Sequence, residues 1–218
     1  MADIRDSSGI RAVTFGASRL EGFLSLPTMP RGLVLFAHGA GSSRFSSRNR
    51  FVADRLKARG LATLLFDLLS EDEAADRTNV FDIELLARRV IEAIEWIGSV
   101  DLLNTLPIGL FGSSTGAAAA LVAAARAPIE VAAVVSRGGR PDLAGPALAH
   151  VLCPSRLIVG GADDQVLELN LSALEKLTCE KHLEIVPGAT HLFEEPGALE
   201  QVADLAADWF TGKLGKTG

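Results

Sequence analysis

Five short runs of residues that are apolar on both faces constrain the fold of this chain more than any other feature. They lie at residues 32–37, 61–66, 107–111, 131–135 and 156–159. Such runs are typical of parallel sheets, because helices cover both faces of a parallel sheet. A strand pair at residues 10–15 and 20–26, read as a hairpin, precedes these runs, and residues 182–186 form a further strand candidate.

Amphipathic stretches separate the apolar runs. Apolar residues recur at three- and four-residue steps from residue 81 to residue 96, which predicts a helix with Asn79 as its cap. A last helix is predicted to begin at Pro196, because proline is favoured at a first helical position. The alternation predicts an α/β fold: a mostly parallel eight-stranded sheet with helices on both faces. Ligands bind such sheets at the carboxyl ends of the strands.

Composition and charge exclude several functional classes. No repeat or linker divides the 218 residues, so we expect a single domain over residues 1–218. The 27 acidic residues outnumber the 21 basic ones, which argues against a nucleic-acid partner. The longest wholly apolar run, residues 117–125, is too short to cross a membrane. Two isolated cysteines and a first segment without an apolar core favour a cytoplasmic protein.

The segment 112–116, Gly-Ser-Ser-Thr-Gly, matches the pattern G-x-S-x-G. An apolar strand precedes it and an alanine-rich helix follows, which is the context in which a strained turn exposes a nucleophilic serine. We therefore identify Ser114 as the candidate nucleophile of an acyl-transfer reaction. The alternative is a glycine-rich turn whose exposed serine has no catalytic role.

A serine hydroxyl needs a base, and the base needs an acid that orients it. His191 follows the last strand candidate and is favoured over His38, which opens a tight glycine turn and is expected to brace a loop. Asp163 is the preferred acid because it directly follows a glycine turn. Asp164 and Asp142 remain candidates, since both lie in loops at the same edge of the sheet.

Two backbone N–H groups are expected to stabilise the oxyanion. One belongs to Thr115, the residue after the candidate nucleophile, and the other to Ala40 in the turn His-Gly-Ala-Gly. A donor of this kind contributes about 3 to 4 kcal/mol of transition-state stabilisation.

With these motifs in place, the sequence resembles the α/β-hydrolase superfamily, and within it the small cap-less members of the dienelactone-hydrolase-like group. The resemblance covers nearly the whole chain and rests on HGAGSS, GSSTG, GGADDQV and PGATHLF, in this order. It implies Ser114, Asp163 and His191 as nucleophile, acid and base. It also implies main-chain donors at Ala40 and Thr115.

The chain departs from this group in one respect. Dienelactone hydrolases carry a cysteine at the nucleophile position, where this chain has serine. The departure favours an ordinary carboxylesterase with a small-molecule ester as substrate. One alternative is a dienelactone-hydrolase or thioesterase activity. The other is a non-catalytic interaction protein on the same scaffold. About twenty residues separate the sixth and seventh strands, too few for a large helical cap.

Clues to the substrate are few. Arg137 and Arg140 follow the sixth strand and are candidates to bind a substrate carboxylate. No cofactor and no metal are expected, because the motifs that bind zinc are absent from the sequence. The oligomeric state is left open, and a homo-oligomer is compatible with the sequence.

A dinucleotide-binding oxidoreductase is a rival hypothesis. It would use the glycine turn at residues 39–41 for the pyrophosphate and Asp67 for a ribose. However, Arg44 stands where that fingerprint requires a third glycine.

Overall fold

A computed structural model describes residues 9–215, which contain one eight-stranded sheet. Its strands are β1 (Ile10–Phe15), β2 (Leu20–Ser25), β3 (Leu33–Ala37), β4 (Ala62–Phe66), β5 (Ile108–Ser113), β6 (Val131–Arg137), β7 (Ser155–Gly160) and β8 (Lys181–Val186). They are arranged in the order β1-β2-β4-β3-β5-β6-β7-β8.

Two of the seven strand pairs are antiparallel. β1 forms a hairpin with β2, and β2 pairs antiparallel with β4. The five remaining pairs, from β4 across to β8, are parallel. The predicted hairpin and the predicted mostly parallel sheet are both confirmed.

Helices cover both faces of the sheet. They are α1 (Ser47–Ala58), α2 (Glu71–Ala75), α3 (Arg77–Phe81), α4 (Ile83–Gly98), α5 (Thr115–Arg126), α6 (Asp164–Lys176) and α7 (Ala198–Leu214), with a 3₁₀ segment at Pro141–His150. α1 and α7 share one apolar core with the sheet. α4, α5, α6 and the 3₁₀ segment share the core on the other face.

Two helix starts differ from the sequence predictions. α4 is capped by Asp82, whose carboxylate accepts the backbone N–H of Leu85, and not by Asn79. Asn79 instead belongs to the separate short helix α3. α7 begins at Ala198 and not at Pro196, because Gly197 adopts a left-handed conformation (φ 82°) that a continuous helix cannot contain.

The loops at the carboxyl edge of the sheet stay short. The chain between β6 and β7 folds as the 3₁₀ segment, so the described residues contain no large cap over this edge. β5 ends at Ser113, directly before Ser114, so the candidate nucleophile lies at the point where strand becomes helix. Within residues 9–215 no helix is both long and apolar enough to cross a membrane.

Candidate active site

Ser114 occupies the sharp turn between β5 and α5. Its backbone has φ 51° and ψ −124°, a region that non-glycine residues rarely adopt. Such a conformation costs about 1–3 kcal/mol and persists only where the surroundings impose it. The turn therefore matches the strained elbow that the sequence predicts.

Glycine on the helix side of the elbow lets α5 approach the neighbouring strand. A β-carbon on Gly116 would collide with the carbonyl oxygens of Ala37 and His38. Because Gly116 has no side chain, the start of α5 packs directly against the end of β3. The elbow and the glycine turn after β3 thus lie side by side.

His191 and Asp163 meet although 28 positions separate them in the sequence. The Nδ1 atom of His191 lies 2.7 Å from Oδ2 of Asp163. Asp163 is the residue just before α6, and its side chain is only 16% exposed. Asp164 is instead the first residue of α6. The structure thus places Asp163, among the three candidate acids, against the imidazole.

The end of β6 and the residues directly after it lie between the elbow and the turn that carries His191. The carbonyl of Arg137 accepts the N–H of Ser114 at 3.4 Å, and the N–H of Arg140 donates to the Ser114 carbonyl at 3.0 Å. Between them, a β-carbon on Gly138 would lie 3.0 Å from the His191 carbonyl oxygen and 3.7 Å from its Nδ1. Residues 137–140 therefore touch the backbone of Ser114 on one side and His191 on the other.

The two expected oxyanion donors are also neighbours. The N–H of Ala40 donates to the side-chain Oγ1 of Thr115 at 3.0 Å. Gly39, one residue earlier, faces Ser114 so closely that a β-carbon on Gly39 would lie 3.6 Å from the Ser114 hydroxyl oxygen. The sequence predicted the two backbone donors and missed the threonine hydroxyl that links them.

His38 braces a loop, as the sequence suggests. Its Nε2 accepts the N–H of Leu68 at 3.1 Å, and its Nδ1 lies 3.0 Å from the Gly39 carbonyl oxygen. Burial lowers the pKa of His38, and the bond to Gly39 and the charge of Asp67 offset this only in part. The neutral ring donates from Nδ1 and accepts at Nε2, and so ties the glycine turn to the chain after β4.

A cavity of about 540 Å³ begins at this glycine turn. Apolar side chains from the chain after β4 and from the helices line one part of it: Leu68, Leu69, Val80 and Leu86. Arg44 lies at another side and pairs with Asp67 and Glu21. The cavity wall therefore combines an apolar part with a charged part. No sequence pattern predicts that residues after β4 form this wall.

The two arginines proposed for a substrate carboxylate have different surroundings. Arg140 forms a bidentate ion pair with Asp142, in which Nε donates to Oδ1 and Nη2 donates to Oδ2, both at 2.8 Å. Arg137 is buried; its guanidinium lies 6.0 Å from the Phe193 ring centre and 3.5 Å from Oδ1 of Asn49. Burial, and to a smaller extent the charge of Arg48, lowers the pKa of Arg137 to about 10. Arg140 is thus the more accessible of the two.

Three observations on residues 9–215 concern other candidate chemistries. No group of three or more His, Cys, Asp or Glu side chains there could hold a metal ion. Burial raises the pKa of Cys153 to about 12, which makes it a poor nucleophile. Asp67, the ribose ligand of the dinucleotide hypothesis, is bound to the Arg44 backbone N–H and guanidinium.

Comparison with known proteins gives both full-length and partial matches. No protein-family model matches the chain. Relatives from two strains of Mycobacterium tuberculosis, both provisionally named phosphoribosyl transferase, are 57% identical over 202 residues. The match covers 93% of this chain and 46% of each relative, so the chain spans about half their length.

Solved structures match the chain over its length. A dienelactone hydrolase from Anabaena variabilis is 51% identical, with a TM-score of 0.90, covering 94% of this chain and 99% of that one. A lid-less α/β serine hydrolase from Xanthomonas campestris has a TM-score of 0.78 and is 22% identical, covering 97% of this chain and 98% of that one. The second likeness is one of fold alone.

Proposed function

This chain belongs to the dienelactone-hydrolase-like group of the α/β-hydrolases, and we propose that it is a serine hydrolase that cleaves carboxylic esters through an acyl-enzyme intermediate. The proposal assigns Ser114 as nucleophile, His191 as general base and Asp163 as the acid that orients the base. The backbone N–H groups of Ala40 and Thr115 are the proposed oxyanion donors. The proposed substrate is a small-molecule ester, and the proposed setting is the cytoplasm.

One observation carries the proposal: the backbone of Ser114 at φ 51° and ψ −124°. A serine gains nothing for packing from this conformation, which costs about 1–3 kcal/mol. The same geometry aims a side chain outward from the end of a strand, at the start of a helix whose N-terminus favours negative charge. We therefore attribute the unfavourable backbone conformation of Ser114 to the need to expose its hydroxyl as a nucleophile.

In the first half of the proposed reaction, the Ser114 oxygen attacks the ester carbonyl carbon and His191 takes the hydroxyl proton. Asp163 holds Nδ1–H, which leaves Nε2 free to accept that proton. The negative charge that develops on the carbonyl oxygen is stabilised by the two N–H groups. The intermediate collapses, the alcohol leaves with the proton from His191, and the acyl group remains on Ser114.

In the second half, water replaces the alcohol. His191 takes a proton from the water, whose oxygen attacks the acyl carbon. The second tetrahedral intermediate collapses, the carboxylic acid leaves, and the proton returns to Ser114. No co-reactant other than water is needed.

The absence of a large cap supports small or extended substrates, since the described residues leave the carboxyl edge open. Thioesters and lactones follow the same chemistry and are the alternative substrates. Arg140 is the proposed contact for a substrate carboxylate, exchanging Asp142 for the substrate. Arg137, the other candidate from the sequence, is buried beside Asn49 and Phe193 and is not proposed to touch the substrate.

The decisive experiment labels the protein with a fluorophosphonate probe and locates the modified residue by mass spectrometry. We expect labelling at Ser114 and none in Ser114→Ala, together with a loss of kcat of about 10³-fold or more on p-nitrophenyl acetate. Ser113→Ala is the matched control, because it removes the adjacent buried hydroxyl and leaves the elbow serine in place. Failure of the wild-type protein to react with the probe or any ester or thioester would leave the non-catalytic alternative.

A further inference from the structure

The hydrogen bond between Ala40 N–H and the Thr115 hydroxyl joins the two segments that carry the proposed oxyanion donors. The donor–acceptor distance is 3.0 Å, and Thr115 is 4% exposed. Ala40 lies in the turn after β3, whereas Thr115 is the first residue of α5. A bond across 75 positions of sequence thus ends on the residue directly after the proposed nucleophile.

The side chain at position 115 decides whether this bond can exist. A serine or threonine hydroxyl can accept the Ala40 N–H, but a valine of the same shape cannot. Ala40 itself is exposed, so without the hydroxyl its N–H would turn to water. A peptide unit in an exposed turn has freedom to rotate, and an oxyanion donor must keep a fixed direction to be effective.

We propose that Thr115 is a positioning residue whose hydroxyl holds the Ala40 amide in place before substrate arrives. This inference rests on the proposed function, because it assumes that the Ala40 N–H serves an oxyanion. Thr115 thus supplies one proposed donor, its own backbone N–H, and orients the other, the Ala40 N–H, through its side chain. When substrate binds, the Ala40 N–H is shared between the Thr115 hydroxyl and the oxyanion as a three-centre bond.

The neighbouring contacts agree with this role. Gly39 already lies against Ser114, so the turn cannot move closer to the elbow. His38 anchors the other end of the turn through Leu68. The Thr115 hydroxyl accepts the N–H of Ala40, the residue after Gly39, and so binds the turn to the first residue of α5.

The test compares Thr115→Val with Thr115→Ser by two measurements. Amide hydrogen exchange at Ala40 reports the tether, and kcat and KM on p-nitrophenyl acetate report its effect on the reaction. For Thr115→Val we expect Ala40 exchange to rise at least about tenfold. We also expect kcat to fall about 10- to 100-fold with KM changed less than about threefold. Thr115→Ser should restore both values to near wild type.

Thr63→Val is the matched control, since Thr63 is buried near the amino end of β4, away from the carboxyl edge that carries the candidate site. It removes a buried threonine hydroxyl and should alter neither readout. If Thr115→Val does not fold, Thr115→Ala gives the same comparison, because alanine also lacks the acceptor and adds no bulk.

Three results would overturn the inference. Unchanged exchange at Ala40 in Thr115→Val would show that no tether exists in solution. Faster exchange with unchanged kcat would show a tether without a role in catalysis. A rise in kcat would show that the hydroxyl competes with the oxyanion for the N–H. A wild-type protein that neither hydrolyses esters nor reacts with a fluorophosphonate is a distinct result, which refutes the proposed function and with it the catalytic role of the tether.

Discussion

A β-carbon on Gly39 would lie 2.9 Å from the Cβ of Ser114, so the turn after β3 and the elbow after β5 are in direct contact. Two segments that the sequence places 75 positions apart therefore share one wall of the candidate site. The contact leaves no room for a side chain at position 39, and any residue larger than glycine there must push one of the two segments away.

Gly39→Ala should impair the reaction more than the fold. The added methyl group displaces the turn or Ser114 by a fraction of an ångström to about 1 Å, and such a shift can cost about 10²-fold in rate. We expect a fall in kcat of about that size on p-nitrophenyl acetate. Gly212→Ala in α7 is the control, since a β-carbon there meets nothing within 4 Å. It should keep full activity and gain about 0.5–1 kcal/mol of stability.

Asp163→Asn should lower kcat by about 10³-fold or more, because an amide can donate a hydrogen to Nδ1 of His191. The ring then carries its own proton on Nε2 and cannot take one from a hydroxyl. Steady-state rates and far-ultraviolet circular dichroism measure activity and folding in the same samples. Asp164→Asn is the paired control and should lose less than about 1 kcal/mol of stability with its rate preserved. The opposite ranking of the two variants would assign Asp164 as the acid.

The stability of the protein should depend on pH through His38. Burial lowers its pKa in the folded protein below the ordinary 6.5. Below pH 6.5 the unfolded chain therefore binds more protons at this site, so the stability contributed by neutral His38 is lost as the pH falls. In urea unfolding, the stability advantage of wild type over His38→Gln should shrink between pH 7.5 and pH 5. An advantage of wild type that stays constant over this pH range would contradict the assignment.

Arg137→Met should stabilise the fold. The guanidinium is buried, its Nε has no hydrogen-bond partner, and within residues 9–215 no carboxylate binds it. An uncompensated buried charge opposes folding, so a thioether chain of similar length should add about 1–3 kcal/mol in chemical denaturation. Arg140→Met breaks the partly buried pair with Asp142 and should cost about 1 kcal/mol. A large loss in Arg137→Met would show that an anion normally balances the charge.

Local sequence patterns were sufficient for the architecture and for the elbow. Strands apolar on both faces predicted a parallel sheet, and the two glycines around Ser114 predicted a tight strand-to-helix turn. Both depend on contacts between near neighbours in the chain. The start of α7 was missed because Pro196 is followed by Gly197, whose left-handed backbone ends any helical turn begun at the proline, so the helix begins one residue later at Ala198.

The amino-acid order by itself determined which residue types stand at the carboxyl ends of the strands: a serine between glycines, a pair of acids and a histidine. Only the tertiary structure decided which acid faces His191, that a threonine hydroxyl reaches Ala40, and that Arg137 points into the interior beside α1. The physical reason is that side-chain pairing depends on strand register and on where each helix begins. Strand register is fixed by packing between segments far apart in the chain, and a local pattern can mark a helix start without showing which side chains it brings together.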